Sequence, residues 1–255
     1  MKIAIVGLGM VGGALSKWFK DAILHDPPKG TVGDLEQADV IFICVPTPYN
    51  NGFDLSMVKQ AVGDIGGNKI IVIKSTVLPG TIDKFQEEYP QHKFLFNPEF
   101  LTEATADQDM RYPDRQIIGY TKESFTIAQD IMMMLPQAPF ERIVPAKEAE
   151  MIKYFNNCWF ATKVIFANQI YDLCQKMGID YDVVKLGASA DKRMTGTSHL
   201  EVWHNGYRGV GGKCLPKDLS ALIQYADENK VDMSLLKEVN KINESLSMLQ
   251  RIETK

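Results

Sequence analysis

The chain has 255 residues, 45% of them hydrophobic and 24% charged, an ordinary globular composition that allows one large core or two modest ones, with two domains the better expectation. A formal net charge of −4 offers no general attraction to a polyphosphate backbone, which argues against nucleic acid as a partner.

Residues 2–6 form a β-branched run bounded by Gly7, which predicts a buried parallel strand. Gly7, Gly9, Gly12 and Gly13 interrupt the run where a secretory signal would stay apolar. A helix is predicted over 9–20, and further strands over 22–24, 40–45, 70–73, 94–96 and 116–119, separated by stretches that can carry helices or loops. That alternation predicts a parallel sheet covered on both faces. After Pro139 and Pro145 the character changes: 147–177 contain no proline or glycine, and Gly178 supplies a stop. One long helix of roughly 45 Å is expected. Being apolar nearly all round, it should be buried on several sides and join two domains or two subunits. Helices over 180–188, 216–229 and 234–251 complete the chain.

The fold class is therefore α/β: an amino-terminal Rossmann-type parallel sheet over 1–145, then a mainly helical domain over 146–255 entered by the long connecting helix. No stretch is apolar enough to span a bilayer. A soluble, cytoplasmic protein with no membrane partner is expected, in which the Asn243-Glu244-Ser245 sequon stays unused.

Gly7-x-Gly9-x-x-Gly12 follows a predicted strand and opens a predicted helix, the context of a dinucleotide-binding turn. The first glycine permits the turn, the second lets backbone approach a pyrophosphate, and the third lets helix and strand pack closely. Met10 and Val11 lie in the same turn and are expected cofactor contacts. Asp26 stands where an acid would bond both ribose hydroxyls and repel a 2′-phosphate, which favours NAD over NADP; the alternative is a turn residue before Pro27 and Pro28.

The four cysteines, Cys44, Cys158, Cys174 and Cys214, form no CxxC pair and no zinc-site spacing, so reduced thiols are expected and no metal. His199 and His204 lack a third ligand close in sequence. Cys214 follows Gly211, Gly212 and Lys213 and precedes Pro216, which would place it at a helix amino terminus where the dipole stabilises a thiolate. Asp218 lies one turn on. The spacing alone leaves open a buried thiol beside a surface acid.

At this point the sequence resembles the UDP-glucose/GDP-mannose dehydrogenase family. The matching segments stand in family order: Val45-Pro46-Thr47-Pro48, Lys74-Ser75-Thr76-Val77, Asn97-Pro98-Glu99-Phe100-Leu101, Pro113-Asp114-Arg115, residues 148–157 and residues 211–218. The Asn-Pro-Glu-Phe-Leu wording is closer to the UDP-glucose branch than to those handling N-acetylated sugars. The resemblance implies that Cys214 is a nucleophile, that Lys153 and Asn157 stabilise oxyanions, and that Asp218, Glu103 and Thr76 assist proton transfer. It implies cofactor contacts at Pro46, Thr47, Thr76 and Glu103. Substrate contacts are implied at Glu99, Phe100, Leu101, Lys153, Asn157, Arg193 and Gly211. The implied reaction oxidises a nucleotide-sugar C6 alcohol, UDP-glucose foremost, to the uronic acid by two hydride transfers to NAD through a cysteine-linked thiohemiacetal and thioester. A homodimer through the central helical domain is the expected assembly.

Two features depart from the family wording. Members normally continue into a third domain that holds much of the substrate's nucleotide, whereas this sequence ends at Lys255, so a truncated or compact form is expected. The 193–214 stretch also looks long, and Arg208 stands near a position where the family has an apolar ring. A single-step β-hydroxyacid-type dehydrogenase, with Lys153, Asn156 and Asn157 on the long helix, and a non-catalytic NAD-binding module are the alternatives.

Overall fold

The computed structural model describes residues 1–194, 196–204 and 206–253, with 247–253 described by backbone alone. It divides into two compact units, Met1–Lys153 and Tyr154–Lys255.

The amino-terminal unit runs β1 (Ile3–Val6), α1 (Met10–Trp18), β2 (Ile23–His25), β3 (Val40–Ile43), α2 (Ser56–Gly63), β4 (Ile70–Ile73), α3 (Thr81–Glu88), β5 (Lys93–Phe96), α4 (Ala106–Arg111), β6 (Arg115–Tyr120), α5 (Ala128–Met134) and β7 (Phe140–Pro145), and it ends in the first turns of α6 (Ala146–Met177). Its seven strands are ordered β2-β1-β3-β4-β5-β6-β7. Side chains alternate across the strands, so Ile41, Ile43, Ile71 and Ile73 fill one core while Val40, Phe42 and Val72 fill the other. Both faces are covered, which is why the strands read as continuous apolar runs rather than as alternating ones.

One pairing departs from the expected parallel sheet, and it sets both β6 and β7 against the direction of the first five strands. β6 runs antiparallel to β5, with only Leu95↔Tyr120 and Phe96↔Gly119 in register. The earlier part of β6 therefore overhangs the end of β5 and is met by side chains in place of a ladder. The fully buried Asn97 donates its amide N–H groups to the Ile117 carbonyl (2.9 Å) and to Gln116 Oε1 (3.3 Å). The same overhang brings the Arg115 guanidinium over the Phe100 ring, 3.9 Å from its centroid. β7, parallel to β6, was not among the predicted strands.

The carboxy-terminal unit holds the rest of α6, then α7 (Tyr181–Ser189), α8 (Leu215–Glu228) and α9 (Ser234–Glu253). Gly178, at φ +68°, stops α6, and Asp180 caps α7 by accepting from the Asp182 and Val183 N–H groups. Between α7 and α8 lies a two-stranded hairpin, β8 (Trp203–His204) and β9 (Tyr207–Arg208), which the sequence did not announce. Arg208 pins it to α6: the guanidinium donates to Asn168 Oδ1 (3.0 Å) and pairs with Asp172 (2.7 Å) over the Tyr171 ring. Its charge is thus held by α6 rather than by an open position. α6 is buried on several sides, through Tyr154, Cys158, Ala161, Val164 and Ala167, while one stripe of Phe155, Trp159, Phe166 and Leu173 is exposed along it. Among the described residues no helix is long and apolar enough to cross a membrane.

Candidate active site

In the amino-terminal unit the chain leaves β1 to one side for β2 and returns on the other for β3, so the strand order reverses at the carboxyl ends of β1 and β3. Ligands of open α/β sheets bind at such a point. Gly7 turns there at φ +86°, and a Cβ on it would lie 2.9 Å from the Cys44 carbonyl. A Cβ on Gly12 would lie 1.9 Å from the Gly7 oxygen, so neither glycine tolerates a side chain. At Gly9 a Cβ would meet nothing within 4 Å, and Gly9 caps α1 without a side-chain acceptor or an acidic first turn. Space and unsatisfied N–H groups are therefore both left for an anion.

Asp26 folds towards this turn. Its Oδ2 accepts from the Leu8 N–H (2.7 Å) with the Lys29 ammonium 3.8 Å away, and a carboxylate has further acceptor positions for ribose hydroxyls. Met10 and Glu103 share with Gly9, Gly13 and the start of α4 a groove of about 470 Å³. Val11, half-buried, packs its side chain against the core. Thr47, after the exposed Pro46, donates its hydroxyl to the Thr76 carbonyl (2.9 Å), joining the segments that follow β3 and β4. These residues fit a dinucleotide: a bare helix terminus for the pyrophosphate, an acid for a ribose, and hydroxyls at neighbouring strand ends.

A buried ion pair lies in the same unit. The Lys153 ammonium donates to the Glu99 carbonyl and to Glu99 Oε1, both at 2.8 Å, and Glu99 Oε2 accepts from the Leu101 N–H at 2.9 Å. Burial alone would push the Glu99 carboxyl up; the ammonium and hydrogen bond of Lys153, then the Leu101 N–H and Lys74, outweigh it and hold the group below the usual range. Lys74 is buried beside this pair and donates to Asn97 Oδ1 at 2.5 Å. Phe100 lies under the ammonium, 5.8 Å from Nζ to centroid. Lys74 and Asn97 sit in the motif segments but carried no predicted role. Their sequence signal is a lysine directly after an all-apolar strand, where the side chain has few ways out.

In the carboxy-terminal unit Asn157 and Asp218 meet. The fully buried Asp218 accepts from the Asn157 amide and from the Lys217 ammonium, each at 2.5 Å. One N–H of the Asn157 amide is thereby committed and one is left. Cys214 is the N-cap of α8 and exposed, while Cys44, Cys158 and Cys174 are buried. Burial pushes the Cys44 and Cys158 thiols up to about 12, with Asp218 adding to the rise at Cys158 and Lys74 opposing it at Cys44. The segment before Cys214 is tightly built. A Cβ on Gly211 would fall 2.1 Å from the Tyr207 ring, and Asn243 clamps Val210 through its backbone N–H (2.6 Å) and carbonyl (3.1 Å). Asn243 is thus a buried clamp, a role its sequon pattern did not suggest. Arg193 is exposed and pairs with Asp191, and the ring of His199 stacks on Phe160 at 4.1 Å.

Comparison with known proteins agrees with this layout. Residues 30–134 match the NAD binding domain of the UDP-glucose/GDP-mannose dehydrogenase family and residues 147–245 its central domain. The UDP-glucose 6-dehydrogenase of Rickettsia bellii is 38% identical over 94% of this chain, and that of Bacillus subtilis 35% identical over 82%. This chain spans 58% and 49% of their respective lengths. The solved UDP-glucose dehydrogenase of Pyrobaculum islandicum superposes with a TM-score of 0.79 at 26% identity, covering 96% of this chain and 68% of that one. A UDP-D-ManNAc dehydrogenase from Pyrococcus horikoshii shares the fold at a TM-score of 0.81 and 21% identity, covering 98% and 69%. With two family domains matched in order and the glycine turn, acid and cysteine segments in place, the chain belongs to the UDP-glucose/GDP-mannose dehydrogenase family.

Proposed function

We propose that this chain oxidises the C6 alcohol of a nucleotide sugar, UDP-glucose foremost, to the uronic acid, with Cys214 carrying the sugar between two oxidations. Bound NAD supplies the acceptor for each hydride, first from the alcohol to give an aldehyde and then from the aldehyde's thiol adduct. Lys153 and Asn157 donate to the C6 oxygen as it loses its proton, and again when it is tetrahedral and anionic. The Cys214 sulfur adds to the aldehyde carbon, and the proton reaching that oxygen completes a thiohemiacetal. Loss of the second hydride leaves a thioester on Cys214. Water adds to the thioester carbon and the thiolate departs, which yields the acid and restores the cysteine. Asp218, Glu103 and Thr76 relay the protons, while Glu99, Phe100, Leu101, Arg193 and Gly211 shape the sugar site.

The observation that carries this reading is the contrast among the cysteines. Only Cys214 is exposed, and it stands at the amino terminus of a helix whose dipole favours a thiolate, one turn before a buried aspartate. The names of the similar enzymes support the choice of UDP-glucose.

Incubation with NAD and UDP-glucose should yield two NADH for each sugar consumed, and Cys214→Ala should abolish the acid. One NADH per sugar, unaffected by the cysteine change, would favour a single-step dehydrogenase. NAD binding without NADH formation from any UDP- or GDP-hexose would make the chain a binding module.

A further inference from the structure

Lys74 directly follows β4, and its ammonium turns into the interior, where the residue is only 4% exposed. It donates to Asn97 Oδ1 at 2.5 Å and lies 3.5 Å from the Asn97 carbonyl. Asn97 cannot follow a displaced lysine, because its amide N–H groups are committed to Ile117 and Gln116 on β6. Two residues on, Glu99 offers its carbonyl and one carboxylate oxygen to Lys153, and its other oxygen takes the Leu101 N–H. The sequence Lys74, Asn97, Glu99, Lys153 is therefore continuous through hydrogen bonds and two peptide links.

Charge makes the arrangement more than a scaffold. The Lys153 ammonium meets the Glu99 carboxylate directly at 2.8 Å, Lys74 adds a weaker pull that lowers the same carboxyl, and burial pushes the neighbouring Cys44 thiol up to about 12. A carboxylate engaged by Lys153 alone would neutralise it; one shared with a second cation leaves part of the Lys153 charge for another oxygen. Burial draws the Lys74 proton affinity down; Cys44 and then Glu99 oppose that fall, and Lys153 adds to it.

We propose that Lys74 is a positioning residue for the oxidation: by fixing Asn97 and sharing the charge of Glu99, it keeps the Lys153 ammonium directed and only partly neutralised as the sugar oxygen becomes anionic. Its effect on turnover rests on the dehydrogenase reading above; its effect on Glu99 does not.

The test uses the whole chain labelled with carboxyl-¹³C glutamate, the Glu99 resonance being assigned from Glu99→Gln. Wild type and Lys74→Arg should titrate Glu99 at low pH, whereas Lys74→Met should move that titration upward. In parallel, Lys74→Met should lower kcat roughly tenfold to a hundredfold with the sugar KM within about twofold, and Lys74→Arg should recover most of it. Should the methionine variant not fold, Lys74→Gln gives the same readings with the hydrogen-bonding capacity kept. An unmoved Glu99 titration in a folded neutral variant overturns the proposal, since a lysine that only fills space leaves Glu99 unchanged. A moved titration in a wild type that forms no NADH upholds the coupling and sinks the dehydrogenase reading instead.

Discussion

Removing one member of a buried ion pair strands the other charge where it is poorly solvated, and such losses run to about 3–5 kcal/mol. Glu99→Gln and Lys153→Met should therefore each lower the stability of the amino-terminal unit, by about 2–4 kcal/mol in urea unfolding. The double variant Glu99→Gln/Lys153→Met should cost less than the sum of the two. Additive losses would mean that the pair is not coupled. Asp26 sits at the opposite extreme, with one oxygen spent on the Leu8 N–H and the rest available. Asp26→Asn should weaken NAD roughly tenfold by calorimetry and narrow the preference over NADP; equal affinity in the two proteins would remove Asp26 from the ribose site. Glu99, Lys153 and Cys214 could be singled out as candidates in the sequence because whole motif segments stand in order. Asn97 could not be, because its bonds to the overhanging part of β6 are a tertiary arrangement that no local pattern encodes, and the lysine after β4 drew no role without them.

At the scale of elements, close approaches set the constraints. Gly12→Ala should cost about 3 kcal/mol or more and abolish NAD binding, the added methyl meeting backbone at the Gly7 oxygen. Gly211→Ala should destabilise the segment before Cys214, and Tyr207→Ala should relieve it, because there the clash is with a movable ring. α6 is tied to α3 by Glu150, which accepts from the Gly80 N–H (2.5 Å) and the Ile82 N–H (2.9 Å). Burial pushes that carboxyl up to about 8, against the pull of those N–H groups. The folded state then holds the proton more tightly than the unfolded chain, whose ordinary value is 4.5. This contribution to stability is full below about pH 4.5 and is lost as the pH rises through about 8. Glu150→Gln should flatten the fall in melting temperature between those limits; an unchanged pH dependence would show that Glu150 is already ionised throughout. Most elements were readable from apolar runs and glycine stops, and α6 was expected within a residue of its start. The antiparallel β6 and the β8–β9 hairpin were not, since strand direction and two-residue pairs leave no period to detect.

For the whole molecule, the exposed aromatic row of α6, Phe155, Trp159 and Phe166, is continued by Leu173 on the same helix. We propose that a second copy of the chain covers it. Light scattering should find a dimer at micromolar concentration, and Trp159→Glu should produce monomers; a wild-type monomer would contradict this. In the proposed mechanism Cys214 carries the sugar through the second oxidation and Lys153 donates to its C6 oxygen. The most direct test of that mechanism is an acid quench of the chain turning over UDP-glucose and NAD, followed by peptide mass spectrometry. The account expects the mass of the bound uronyl nucleotide on the peptide carrying Cys214, absent without NAD and strongly reduced in Lys153→Met. A bare Cys214 peptide throughout active turnover, or the adduct on another residue, would contradict it.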